Sequence, residues 1–277
     1  MASLKWVDTP VLQDPVALVA FEGWGDAGES SSLAAVAFLD DTEPELLAMI
    51  DPDDHFDFQM RRPVAELGAG NLRGIAWPRN DLFAVRSLER DLVVVLGEEP
   101  HYGWRSFTNE LVEALQKLGV RRAVTMGAFI GQVAHTLPVP LVGSATQPET
   151  LTLHGLSPSG YEGPTGIVGV LNHSLGKAGI DVISVWAAVP HYLGNQEYPP
   201  ATEALVVKAA ELVGATPEIG DLAGATRDFL STVDEVLEGN EDLLAYVERL
   251  KEKTDDDSPT SDRLVEEIED FLRHHPR

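Results

Sequence analysis

The chain has no cysteine and few basic residues: 20 Lys and Arg stand against 45 Asp and Glu, a formal net charge of −25 over 277 residues. The first absence excludes disulfides and thiolate ligands. The second excludes extended contact with nucleic-acid phosphates or anionic lipid, which needs clustered cations to release counterions. Basic partners remain compatible with it. No apolar run approaches the roughly 20 residues that cross a bilayer. The opening MASLKWVDTPVLQDP has no basic segment leading into an apolar one, so a cytoplasmic location is predicted. Also absent are a G-x-S-x-G elbow and an H-E-x-x-H pair, and with them the local signatures of serine hydrolases and zinc peptidases.

What is present is a large apolar inventory, 44% of the residues, enough for one sizeable core with an appendage. Through about residue 213, apolar strands alternate with amphipathic helices. Strands are predicted at 16–21, 46–50, 74–77, 82–86, 92–96, 123–127, 139–144, 165–171 and 180–189, and helices at 30–39, 106–118, 148–153 and 201–212. Runs such as LVVVL and VISVWAAV are continuously apolar, as strands covered on both faces are. An α/β sandwich over residues 1–217 follows, with a Pro- and Gly-punctuated insertion at about 51–90 that reads as a hairpin or edge addition. Beyond Pro217 the apolar residues recur only at helical spacing, which predicts an acidic helical appendage over 218–277. This stretch carries 18 acidic and 7 basic residues, a solvated face by default. Thr254 to Asp262 reads as a linker. A last helix would start at Ser261 and Asp262, with Leu264, Ile268, Phe271 and Leu272 as its apolar stripe.

The first strand runs into Gly23-x-Gly25-x-x-Gly28 and then a helix. By spacing this is a dinucleotide fingerprint. Its charges contradict that. Asp26 and Glu29 stand where phosphate oxygens would rest, and no Lys or Arg lies between Lys5 and Arg61. The preferred explanation is a cap from Asp26 or Ser30 with glycines allowing close packing, and no cofactor is predicted.

Four loops follow buried strands, at the sheet edge where α/β proteins bind ligands. They offer Trp24 and Asp26; Glu98, Glu99 and His101; His135; and His191 as candidate pocket residues. Imidazoles and carboxylates are the usual zinc ligands and general bases, but no two histidines are locally spaced for a metal. Neither a metal site nor a catalytic residue is assigned. Hydrogen bonds that fix the Pro-containing turns are the preferred account of His135 and His191.

FEGWGDAGESSS, GEEPHYGW (97–104), GAFIGQVAHTLPVPLVGSAT (127–146) and WAAVPHYLGNQEYPPAT (186–202) occur in this order. Together they resemble the proteasome assembly chaperone 2 family, in its bacterial, actinobacterial-type branch. The resemblance implies a three-layer α/β/α sandwich like that of purine nucleoside phosphorylases. It also implies a non-enzymatic chaperone or adaptor role, self-association into a homo-oligomer, and proteasome subunits as candidate partners. Some relatives dock on proteasomes through a hydrophobic-Tyr-x tail. This chain ends His274, His275, Pro276, Arg277, so docking of that kind is not predicted. The competing possibility is a small-molecule hydrolase, transferase or binder, marked by convergence of Asp26, Glu98 or Glu99, and His135 or His191.

Overall fold

The computed structural model describes residues 3–39, 42–67, 73–86, 90–193, 196–215, 217 and 220–256. A nine-stranded mixed sheet forms its centre. The strands are β1 (Leu4–Trp6), β2 (Val16–Glu22), β3 (Glu45–Ile50), β6 (Asn80–Val85), β7 (Leu92–Glu98), β8 (Arg122–Gly131), β9 (Leu141–Ala145), β10 (Ser157–Pro158) and β11 (Asp181–Pro190). Across the sheet they lie in the order β1-β3-β6-β7-β2-β8-β11-β9-β10. The middle four, β7, β2, β8 and β11, are parallel. β1, β3 and β6 on one side, and β9 on the other, run antiparallel to their inner neighbours.

Alternation along β2 sorts its side chains into two cores. Val16, Leu18 and Ala20 face one helical layer with α1 (Ser30–Val36) and α5 (Pro199–Val213). Ala17, Val19 and Phe21 face the other, made by α2 (Trp104–Lys117) and α4 (Ile167–Lys177). The result is the predicted three-layer sandwich. Strands buried on both faces cannot alternate apolar with polar, which is why LVVVL and VISVWAAV read as they do. The short helix α3 (Glu149–Leu153) packs near β9 and β10.

One predicted strand is a helix. Residues 165–171 are rich in β-branched side chains, yet α4 begins at Ile167 and buries Ile167, Val168, Leu171 and Leu175 against the sheet. The first helical N–H, of Ile167, donates to Glu99 Oε1 at 2.8 Å, a partner 68 positions away. Tertiary capping and burial outweigh the local propensity.

Within the stretch predicted as an insertion, β4 (Val64–Leu67) and β5 (Arg73–Ala76) pair as a separate two-stranded hairpin. β6, from the same stretch, lies inside the main sheet. After the sandwich, α6 (Leu222–Glu238) and α7 (Glu241–Asp256) pack on each other and on Ala134 and Leu137 through Val233, Leu237, Val247 and Leu250. α7 continues through the first three residues of the predicted linker. The helix predicted from Ser261, and the chain end, lie outside the described residues.

Candidate functional site

The carboxyl ends of β7, β2, β8 and β11 share one edge of the sheet, and α1 and α2 leave β2 and β7 toward opposite faces. That divergence opens a crevice beside the glycine-rich loop. Gly23 has φ +123°, and Gly28, at φ +63°, sits so close to α5 that a Cβ there would lie 2.8 Å from Tyr198 Cβ. At Gly25 a Cβ would meet the Trp186 ring at 3.0 Å. Each glycine of the fingerprint is thereby explained by backbone conformation or packing, without a phosphate.

Asp26 is 8% exposed. Its Oδ1 accepts from Ser31 N–H (2.7 Å), Ser31 Oγ (2.6 Å) and Ser32 N–H (3.1 Å), while Oδ2 accepts from Ser32 Oγ (2.5 Å). The carboxylate thus serves the orphan donors of α1. The predicted capping role is met, though at longer reach than an ordinary N-cap, because Gly28 and Glu29 (φ +52°) bend the chain back over it. Ser30 donates to Ala27 O instead.

Glu99 ties two elements. Its Oε2 accepts from Trp24 N–H (3.3 Å) and its Oε1 from Ile167 N–H. Trp24 itself is 44% exposed and lies beside Gly166, where a Cβ would meet its ring at 3.1 Å. Glu98 is bound by Arg61 Nε, and Arg61 also approaches Glu22 at 3.9 Å. With Gly23, Asp26 and Glu29, Glu22 lines a cleft of about 340 Å³ floored by Leu33, Val36 and Leu96.

Partial desolvation, then the nearby Glu98, holds the Glu22 carboxyl above the usual carboxylate range despite Arg61. The folded state therefore keeps this proton at pH values where the unfolded chain has released it, so stability falls as pH rises between the unfolded and the folded pKa. Glu22→Gln is expected to raise the thermal midpoint slightly at pH 7 and leave it unchanged well below the unfolded pKa. Melting followed by circular dichroism at both pH values checks this.

The other candidates lie elsewhere. His101 Nδ1 accepts from Asp57 N–H at 2.9 Å, its ring packs edge-on against Phe56, and Tyr102 donates to Asp57 Oδ2 at 3.0 Å. It fastens the segment after β3 to the start of α2.

His135 and His191 do meet, through Tyr192. The Tyr192 oxygen takes the His135 backbone N–H (2.8 Å) and sits 2.6 Å from Nδ1; His135 Nε2 faces Asp234 Oδ1 at 3.0 Å. Burial pushes the Tyr192 phenol up to about 12, so it keeps its proton and donates to Nδ1. That places the imidazole proton on Nε2, toward Asp234. His191 bonds Gly131 O (3.3 Å) and Tyr246 Oη (3.1 Å). The histidines thus clasp α6 and α7 to the sandwich, where the sequence predicted bonds within Pro turns. His135→Ala is expected to speed amide exchange in α6 and α7 roughly ten- to hundredfold and leave β2 and β7 unchanged; hydrogen–deuterium exchange with peptide resolution measures both.

Of the candidates, Asp26 alone lines the cleft with Glu22; Trp24 is bonded to Glu99, Glu98 is held by Arg61 near Glu22, and His101 and the His135–His191 pair lie in two other clusters. Among the described residues, no three His, Asp or Glu side chains converge as a metal site. Sequence reasoning missed Arg61, Asp234 and Tyr246. No local pattern marks them, since each acts on a residue at least 37 positions away.

A mixed sheet between two helical layers, with a carboxylate-lined crevice at its switch point, defines a PAC2-type sandwich. The PAC2 family profile matches residues 20–237. The chain belongs to that family, in its actinobacterial-type branch. It is 40% identical to a PAC2 family protein from Streptomyces avermitilis, covering 84% of this chain and 100% of that one, with a TM-score of 0.78. A proteasome-assembly chaperone homologue from Mycobacterium tuberculosis is 33% identical over 84% of this chain and 99% of its own, with a TM-score of 0.77. In fold alone the likeness reaches the Pyrococcus furiosus proteasome activator PbaB: 16% identity, 85% of this chain, 99% of that chain, TM-score 0.68. No curated protein gives a significant match.

Proposed function

We propose that the chain is a non-enzymatic, homo-oligomeric assembly chaperone or adaptor, and that the β4–β5 hairpin carries its contact with proteasome subunits. The single observation behind this is the hairpin surface. Val64, Leu67 and Ile75 are 57%, 78% and 54% exposed, and Met60 and Trp77 beside them 75% and 45%. Isolated two-stranded hairpins are marginal in water, and so many exposed large apolar side chains in one small element mark an interaction surface. Phe58 braces the base by packing edge-on against Trp77, ring centroids 4.8 Å apart. Residues 58–77 carry three Arg and one Glu in a chain of net charge −25; Arg61 is engaged by Glu98, and the other two Arg leave this stretch able to approach an acidic partner. Membership of PAC2, and relatives named for proteasome assembly, supply the class of client.

The hydrolase or transferase alternative needs Asp26, a Glu and a histidine converging on one ligand. The observed hydrogen bonds favour the adaptor, because both oxygens of Asp26 are committed to α1 and His135 to Asp234.

The test uses purified proteasome core particles from the same organism and the full chain. Wild type should retain the cores, and a Leu67→Asp/Ile75→Asp variant should retain roughly tenfold less or none at an unchanged melting temperature, since both side chains face solvent. Equal retention by both, or none by wild type, overturns the assignment. Light scattering of the two proteins separately reports self-association.

A further inference from the structure

A second cleft, of about 380 Å³, lies between α4 and the outer strand β9, away from the crevice described above. We infer that it is a binding site for a small anionic ligand, held by carboxylate or phosphate oxygens. Thr125 on β8, Ser184 on β11 and Ser144 on β9 are register partners across three adjacent strands. They form a row of hydroxyls on the face that α4 covers. Thr125 and Ser184 are fully buried.

The direction of this row is fixed by chemistry. The Trp186 indole can only donate, and its Nε1 lies 3.0 Å from Ser184 Oγ. Thr125 Oγ1 lies 2.9 Å from both Ser184 Oγ and Asn172 Oδ1. A hydroxyl has one proton and Asn172 Oδ1 only accepts, so Thr125 donates to Asn172 and Ser184 donates to Thr125. The buried network ends there, satisfied. It leaves the Asn172 Nδ2 donors unused at the cleft.

Lys177 and His173, one turn apart on α4, line the cleft with Ser144. Among the described residues, none that lines it is acidic and no carboxylate pairs with Lys177, in a protein with 45 acidic side chains. Thr146 is spoken for by Val182 N–H at 2.9 Å. The C-terminal carbonyls of α4, which would repel an anion, are taken by backbone donors: Ala178 N–H reaches Ser174 O and Leu175 O, Ile180 N–H reaches Leu175 O, and Gly179 N–H reaches Gly176 O. An ammonium, an amide NH₂ and a hydroxyl lining one concave space, with Ala145 and Val182 beside them, suit an oxyanion on a small body.

The test titrates inorganic phosphate and, separately, acetate into the ¹⁵N-labelled full chain at millimolar concentration, following the Asn172 side-chain amide and the Gly176 backbone amide. Saturable shifts at both are expected. Response to phosphate alone assigns a phosphate ligand; response to acetate alone or to both assigns a carboxylate-tolerant site. Lys177→Met should weaken binding roughly tenfold. Asn172→Asp should do the same while keeping the acceptor for Thr125, because it exchanges two donors for an acceptor. Arg105→Gln, at an exposed position on α2, should change nothing. If Asn172→Asp does not fold, Lys177→Met decides alone. The inference is overturned by the absence of saturable shifts with either anion, by binding that survives Lys177→Met, or by equal weakening in Arg105→Gln.

Discussion

Asp26→Ala is expected to cost about 3–5 kcal/mol of folding stability, seen as a lower urea midpoint by far-UV circular dichroism. The carboxylate accepts four hydrogen bonds, from two backbone N–H groups and two seryl hydroxyls, and Ser31 and Ser32 are themselves buried. Removing it strands donors that water cannot reach, and an unpaired buried donor costs more than a paired one contributes. Asp26→Asn separates this role from a ligand role. The amide keeps one oxygen for the two N–H groups and can donate to Ser32, whose hydroxyl rotates, so the loss should be about 1–2 kcal/mol. If Asp26→Ala were as stable as wild type, the carboxylate would not be the cap that organises α1.

The second large effect is at Gly28. Gly28→Val is expected to destabilise by about 3–5 kcal/mol, from the left-handed conformation and the collision with α5 together. Its carbonyl also accepts Tyr198 N–H at 3.0 Å, which pins α5 to the loop and prevents an easy retreat. Gly155 is the internal control, with a similar φ of +62° but nothing within 4 Å of the place a Cβ would take. Gly155→Ala should cost about 1 kcal/mol from conformation alone, and Gly28→Ala clearly more. Equal losses at the two positions would show that the contact with Tyr198 yields freely.

Both results bear on what the nucleotide-like fingerprint does in this chain. In this chain the position at the helix entrance that an anion would occupy is filled by the protein's own carboxylate, and the third glycine is required by helix packing. The acidic character of the loop was legible in residues 22–29. That Asp26 reaches five and six positions forward, over a left-handed turn at Gly28 and Glu29, was not, because the short-range capping rules describe a three-residue reach.

Residue by residue, the sequence determined what depends on local pattern. Continuous apolar runs identified the strands buried on both faces, helical spacing identified α2, α5 and the appended α6 and α7, and the ordered blocks carried the family. The absence of cysteine and the shortage of cations bounded the chemistry. Tertiary structure alone decided the rest. It made 167–171 the start of a helix, with Glu99 as its cap, and it moved His135 and His191 from turn-fixing to clasping α6 and α7. It also aligned Thr125, Ser184 and Ser144 from three separate strands into one polar row. The physical reason is common to all of these. Hydrophobic periodicity reports which face of an element is buried, whereas the role of a buried polar group is set by the partner that satisfies it, and here that partner comes from a distant part of the chain.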